Sequence, residues 1–213
     1  MKIITVLGSK GGIGKSTLAS NLLLAAQLDG IAVAGMDLDS QGSFAGWARK
    51  RNEAGVQPAV RVVAGDLIAW HDALEDAAEG VDLVVADTPP GLPDEDHRAA
   101  TRELALASVL VLVPSLAEGP TLEMLGEVGA GLAELGAPIV FVLNKVDSRR
   151  RATREARAYL AEYGEVCDVE VPAREHVHQA MHGGLTVAED KRLGGSGAMR
   201  DLWTFVADRV GSR

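Results

Sequence analysis

Two hydrophobic textures alternate along the chain: short, nearly unbroken apolar runs rich in β-branched residues, and longer segments in which apolar residues recur every three to four positions. The runs predict strands at 2–7, 31–37, 60–64, 83–87, 109–114, 139–144 and 166–171. The longer segments predict helices at 15–28, 43–53, 66–78, 94–107, 118–135, 151–163 and 196–210. Strands that are apolar on both sides are buried on both faces, and regular βα alternation is the signature of a parallel sheet sandwiched between helices. The expected fold is therefore α/β, a mostly parallel twisted sheet of about seven to eight strands with helices on both faces. No fixed-period repeat, linker or low-complexity segment breaks the pattern, so residues 1–213 are expected to form one domain.

Open α/β sheets bind ligands at the carboxyl ends of their strands, and polar residues interrupt the pattern at four such ends. The first strand runs into Gly8-Ser9-Lys10-Gly11-Gly12-Ile13-Gly14-Lys15-Ser16-Thr17 and then an apolar helix. Glycines let backbone N–H groups turn inward around a phosphate, and the helix N-terminus adds its positive end. Lys15 reaches the terminal phosphates and Ser16 can ligand Mg²⁺. Strand, glycine loop and helix in this order define a P-loop NTPase site, although Ser9 stands where the usual pattern begins with glycine.

The second strand ends in Met36-Asp37-Leu38-Asp39-Ser40-Gln41-Gly42. Alternation in an extended chain puts Asp37 and Asp39 on one side, both able to face a metal and a water at the γ-phosphate. The alternative is that Asp39 caps the next helix. The fourth strand ends in Asp87-Thr88-Pro89-Pro90-Gly91, where Asp87 can hold Mg²⁺ through water and the rigid turn can sense a γ-phosphate, or serve as a turn alone. The sixth ends in Asn144-Lys145-Val146-Asp147. Its asparagine amide can bond the exocyclic amine of adenine, yet N-K-x-D is also the guanine-reading motif of Ras-like GTPases.

Composition sharpens these readings. Glycine supplies 24 of 213 residues, about 11% against a usual ~7%, and four glycines fall in the short stretch Gly8 to Gly14. A net charge of −9 argues against a chain that coats nucleic acid over its whole surface. Arginines nevertheless gather at Arg149, Arg150, Arg151, Arg154 and Arg157, a cluster able to anchor phosphates of nonspecific DNA or to be a solvated helix start. One cysteine, Cys167, excludes an internal disulfide and multi-thiolate metal sites. Neither the i,i+2 separation of His176 and His178 nor the i,i+6 separation of His176 and His182 puts metal ligands on one helix face, and no second cluster completes a site. The apolar runs near the N-terminus and at 104–117 are too short for a signal core or a membrane span. A cytoplasmic location fits best.

The loop Lys10-Gly11-Gly12-Ile13-Gly14-Lys15-Ser16 resembles the deviant Walker A signature of the ParA/MinD superfamily. Asp37-Leu38-Asp39-Ser40-Gln41 resembles that family's D-x-D-P-Q element with serine for proline, and Asp87-Thr88-Pro89-Pro90-Gly91 resembles its Walker B and switch II pattern. The resemblance implies ATP and Mg²⁺ as cofactors. It implies that Lys10 reaches the nucleotide of a second subunit in a sandwich homodimer, that Asp39 orients the attacking water, and that Ser16, Asp37 and Asp87 form the Mg²⁺ shell. It gives Asn144 the adenine, and Pro172 and Arg174 in Val171-Pro172-Ala173-Arg174 a place over the base. The signature lysine and D-x-D element favour ATP over GTP. The C-terminal third, with Lys191, Arg192 and Arg200, resembles the region carrying DNA-contacting residues.

The implied function is a ParA-type ATPase with weak basal turnover that binds nonspecific DNA as a dimer. A ParB-like partner stimulates it, and it partitions a plasmid or chromosome, or positions cargo, over the nucleoid. MinD proteins continue past the last helix into a membrane-targeting segment, whereas this chain stops at Arg213, so no membrane partner is expected. Other readings are a membrane-associated MinD-like division regulator, a GTP-using switch, and a metabolic P-loop ligase.

Overall fold

The computed structural model describes residues 1–8, 10–91, 94–117, 119–190 and 192–211. Its elements follow in the order β1 (Lys2–Gly8), α1 (Lys15–Leu28), β2 (Val33–Asp37), α2 (Ser43–Glu53), β3 (Val62–Ala64), α3 (Trp70–Ala78), β4 (Leu83–Pro90), α4 (Glu95–Ala107), β5 (Leu110–Ser115), α5 (Gly119–Glu134), β6 (Ile139–Val146), α6 (Arg151–Leu160), β7 (Glu165–Val166), β8 (Val171–Pro172), α7 (Glu175–His182) and α8 (Ser196–Val210). The strands lie in the order β3-β2-β4-β1-β5-β6-β7, with β8 also on β6. Every pairing is parallel. All carboxyl ends therefore meet at one edge.

Alternation along β1 divides the core. Ile4 and Val6 pack with Leu22 and Leu23 of α1, Trp47 of α2, and Leu202 and Val206 of α8. On the opposite face Ile3 joins Met36, Trp70 and Leu104, while Leu7 joins Val111, Phe141 and Leu160. The last helix buries Leu202, Val206 and Val210, and Phe205 is half-buried with Arg209 over its ring at 3.6 Å. Register decides the site: β2 and β4 are neighbours, and Asp37 is the direct partner of Asp87.

The helix expected at 66–78 begins only at Trp70, the strand expected at 60–64 at Val62, and the helix expected at 151–163 ends at Leu160; three further expectations shift beside the strand ends. The strand expected at 166–171 is two short strands, β7 and β8, both on β6, because the polar Asp168 and Glu170 leave the sheet between them. Strand β4 continues past Asp87 through Thr88-Pro89-Pro90; the Thr88 hydroxyl donates to the Val6 carbonyl at 3.1 Å and holds that segment against β1. Helix α7 is an addition. Its start at the expected base-covering segment reads as loop from sequence, since three histidines blur the apolar period.

Candidate functional site

The loop after β1 needs glycine at two positions for reasons of space. A Cβ on Gly8 would lie 2.3 Å from Ile13 Cδ1, and one on Gly14 would lie 2.4 Å from Asn144 Nδ2. Gly14 also has φ 98°, a left-handed conformation strained for other residues, and opens α1 from it. The loop so shaped turns Lys10, Gly11 and Gly12 outward and buries Ile13 and Lys15. Ser9 lies outside the described residues.

Lys15 reaches back across the loop, its Nζ 3.4 Å from the Lys10 carbonyl. Burial depresses its pKa, and the carboxylates of Asp87 and Asp39 oppose that depression. Asp87 is fully buried, and burial pushes its carboxyl up to about 7, with the Asp37 and Asp39 charges adding to the rise. Among the described residues neither of its oxygens accepts a well-formed hydrogen bond. The Ser16 hydroxyl faces it and pulls against the rise, but falls short of hydrogen-bond geometry. A buried carboxylate with both oxygens unpartnered, beside a hydroxyl, is a donor set suited to a hard divalent cation.

Asp37 has a structural task beside the one expected of it. Strand β2 stops at Asp37, and its carboxylate accepts N–H bonds from Asp39 at 3.1 Å and from Ala45 at 2.8 Å. It thus caps the first turn of α2, whose N-cap, Gly42, has no side chain to do so. Burial raises its pKa and these N–H bonds oppose the rise. Asp39 is left at the cavity wall, its Oδ1 accepting from Gln41 N at 3.0 Å. The helix-capping role considered for Asp39 belongs to Asp37.

Two cavities meet over the start of α1. One, of about 490 Å³, is lined by Gly11, Gly12, Lys15, Ser16 and Asp39, and extends along α2 past Trp47, Arg49 and Lys50 to His182 of α7. The other, of about 290 Å³ and mostly apolar, is lined by Asn144, Val171, Pro172, Arg174, Val177 and Met199. Gly14, Thr17 and Lys145 line both. Together they have the form of a phosphate site continued into a base site.

Asn144 is buried and braces the loop: its Nδ2 donates to the Ile13 carbonyl at 2.6 Å and its Oδ1 accepts from Lys145 N at 3.0 Å. Among the described residues, one hydrogen on Nδ2 and one lone pair on Oδ1 remain for a base. Asp147 lines neither cavity. Its carboxylate is held by Arg149, with Nε 3.1 Å and Nη2 3.3 Å away, and hydrogen bonding from Arg149 lowers its pKa.

The basic residues separate by environment. Arg149, Arg150 and Arg151 have highly exposed side chains while pairing with Asp147, Asp147 and Glu155. Arg154 is bonded to the Arg149 carbonyl. Arg157 is half-buried, its guanidinium on Glu170 at 3.0 Å and the Cys167 carbonyl at 2.9 Å. Arg192 is exposed and pairs with Asp190, Arg200 binds the Ser196 hydroxyl, and Lys191 lies outside the described residues. Among the described residues no group of three or more His, Cys, Asp or Glu side chains is gathered as a metal site. No described helix is long and apolar enough to cross a membrane.

Sequence reasoning missed Lys145 and the cavity wall formed by Arg49 and Lys50. The signals were present, as the second residue of the N-K-x-D run and as the basic triplet Arg49-Lys50-Arg51.

The family model described as the CobQ/CobB/MinD/ParA nucleotide binding domain matches residues 4–187. The chain is 30% identical to the chromosome-partitioning ATPase Soj of Thermus thermophilus over 97% of this chain and 96% of that protein. It is 32% identical to the maintenance of carboxysome distribution protein A of Gloeobacter kilaueensis over 76% of this chain and 72% of that one. Among solved structures, the septum site-determining protein MinD of Pyrococcus horikoshii, complexed with Mg-ADP, superposes with a TM-score of 0.77 at 19% identity, covering 99% and 97% of the two chains.

Proposed function

The chain belongs to the CobQ/CobB/MinD/ParA nucleotide-binding family, as a P-loop ATPase of ParA/MinD type, and from that premise we propose that it is a ParA-type switch. In this reading it binds ATP and Mg²⁺, closes into a sandwich homodimer, binds nonspecific DNA and hydrolyses ATP when a ParB-like protein stimulates it. Its task is to partition a replicon or to distribute cargo over the nucleoid, which gives a cytoplasmic, nucleoid-associated location.

The observation that carries this reading is the opposed placement of two lysines in one loop. Lys15 is buried against Asp87 and Asp39, while Lys10 projects from the exposed outer turn. A buried lysine serves the phosphates held in its own site. An exposed lysine on the rim is positioned to neutralise charge on a nucleotide held by a second copy.

The remaining residues take roles that follow from their surroundings. Ser16 and Asp87 would hold Mg²⁺, which supplies neutralisation of phosphate charge when bound. Asp37, by fixing the first turn of α2, keeps Asp39 at the cavity wall, where it orients and deprotonates an attacking water. Asn144 accepts from the adenine amine, with Pro172 and Arg174 closing over the base. Adenine is favoured over guanine because Asp147, the residue that would accept from guanine, is outside the base cavity and neutralised by Arg149. Arg149, Arg150, Arg151 and Arg154 and, from the C-terminal region, Lys191, Arg192 and Arg200 supply DNA phosphate contacts. Arg157 acts beneath them by bracing the loop that carries Glu170.

Sedimentation of the purified protein tests the switch. With ATP and Mg²⁺ the Asp39→Ala variant should accumulate as a dimer, and Lys10→Ala should stay monomeric while still binding ATP. A Lys10→Ala protein that dimerises as fully as wild type would contradict the sandwich reading.

A further inference from the structure

Lys145 has no role in the reading above, yet its geometry is the least ordinary around the cavities. Among the described residues it is the non-glycine residue with positive φ, 56°. A long side chain held in the left-handed region is strained, and such strain persists where surrounding contacts over-determine the backbone. Two contacts do so here. The neighbouring Asn144 side chain accepts from Lys145 N at 3.0 Å, and the ammonium donates to the Gly12 carbonyl at 2.6 Å. Between these anchors the stem crosses α1 at its first turn, close enough that a Cβ on Gly14 would lie 3.7 Å from Lys145 Cε.

This path runs along the junction of the two cavities, which share Gly14, Thr17 and Lys145. A ligand with one end in the phosphate loop and the other between Asn144 and Pro172 crosses the junction that Gly14, Thr17 and Lys145 line. The part that passes is the bridge between base and polyphosphate: the sugar and the first phosphate. An ammonium has three donors. Among the described residues one is used on Gly12, which leaves the other two for oxygens of a ligand at the junction.

We propose that Lys145 is a nucleotide-binding residue, positioned by its bond to the Gly12 carbonyl to contact the sugar and α-phosphate where the two cavities join. The inference rests on the nucleotide reading of the site and adds a residue to it. A contact at the α-phosphate strengthens the binding of nucleoside mono-, di- and triphosphates alike. A lysine that merely props the loop strengthens binding only through phosphates the loop itself holds.

Competition of AMP, ADP and ATP against a fluorescent ADP analogue separates the two. Lys145→Met keeps the stem and removes the charge. Lys145→Gly removes the side chain but suits the positive φ, so its melting temperature should not fall. Both variants should lose about tenfold to a hundredfold in affinity, the worth of one charge-assisted hydrogen bond, by a similar factor for all three nucleotides. Unchanged AMP affinity alongside weakened ADP and ATP would reduce Lys145 to a prop for the loop and overturn the proposal. Unchanged affinity for all three would overturn it as well. Wild-type protein that competes with no nucleotide would overturn the nucleotide reading of the site, and this inference with it.

Discussion

Replacing Asp87 by asparagine removes a charge that the fold holds at a disadvantage. The carboxyl is fully buried, both oxygens lack hydrogen bonds among the described residues, and Asp37 is its direct neighbour across the sheet. Its folded-state pKa of about 7 lies above the ordinary 3.8, so protonation favours the fold. Below about pH 4 both folded and unfolded chains carry the proton, and no stability is lost. As pH rises, the unfolded chain releases its proton while the folded chain keeps it, and stability falls by about 1.4 kcal/mol per pH unit. Above about pH 7 the loss levels off. The interval spans roughly three units and amounts to about 4 kcal/mol.

Urea unfolding of wild type and Asp87→Asn without nucleotide, at pH 4 to 8.5, measures the difference directly. Asparagine adds a constant offset for its own burial. Asp37, shifted in the same direction, is present in both proteins and largely cancels. The difference curve should therefore climb in the variant's favour between pH 4 and 7 and be flat above. A difference independent of pH would refute the claim that burial of the Asp87 charge outweighs the stabilisation it receives from Ser16 and Lys15.

Other substitutions probe single contacts. Gly14→Ala meets Asn144 Nδ2 and a strained φ together, so nucleotide binding measured by calorimetry should fall at least a hundredfold with a loss of about 1–3 kcal/mol in stability. Arg51 is wholly buried, joined bidentately to Glu189 and bonded to the Pro58, Gln57 and Gly184 carbonyls. Arg51→Met should cost about 3–5 kcal/mol in a denaturation experiment, with part recovered in the double variant with Glu189→Gln. Arg149→Ala with Arg150→Ala should weaken DNA binding and reduce its dependence on log salt by roughly two. Arg157→Ala should instead chiefly lower the melting temperature, since its guanidinium is committed to Glu170 and Cys167.

Legibility of the sequence followed the range of the interactions. The loop from Gly8 to Thr17 could be read directly because glycine, lysine and helix start are adjacent in the chain. Strand ends were readable for the same local reason, which is how Asp37, Asp87 and Asn144 came to be singled out. Their relations were not readable. Asp37 and Asp87 oppose each other only because β4 inserts between β1 and β2, a fact of topology with no local trace. Asp37 rather than Asp39 caps α2 because Gly42 bends the chain back beneath the strand end. The amide of Asn144 and the ammonium of Lys145 meet carbonyls more than a hundred residues away. Likewise the five arginines form one run in sequence, but Arg157 turns inward because its position on α6 faces the loop before β8.

The central claim, that nucleotide state controls DNA binding, is tested most directly by electrophoretic mobility of nonspecific duplex DNA with ATP–Mg²⁺, ADP–Mg²⁺ or no nucleotide. A shift with ATP alone, absent in Lys10→Ala and in Lys15→Gln, is the expected result. DNA that shifts equally in all three nucleotide states, or that never shifts, would contradict it.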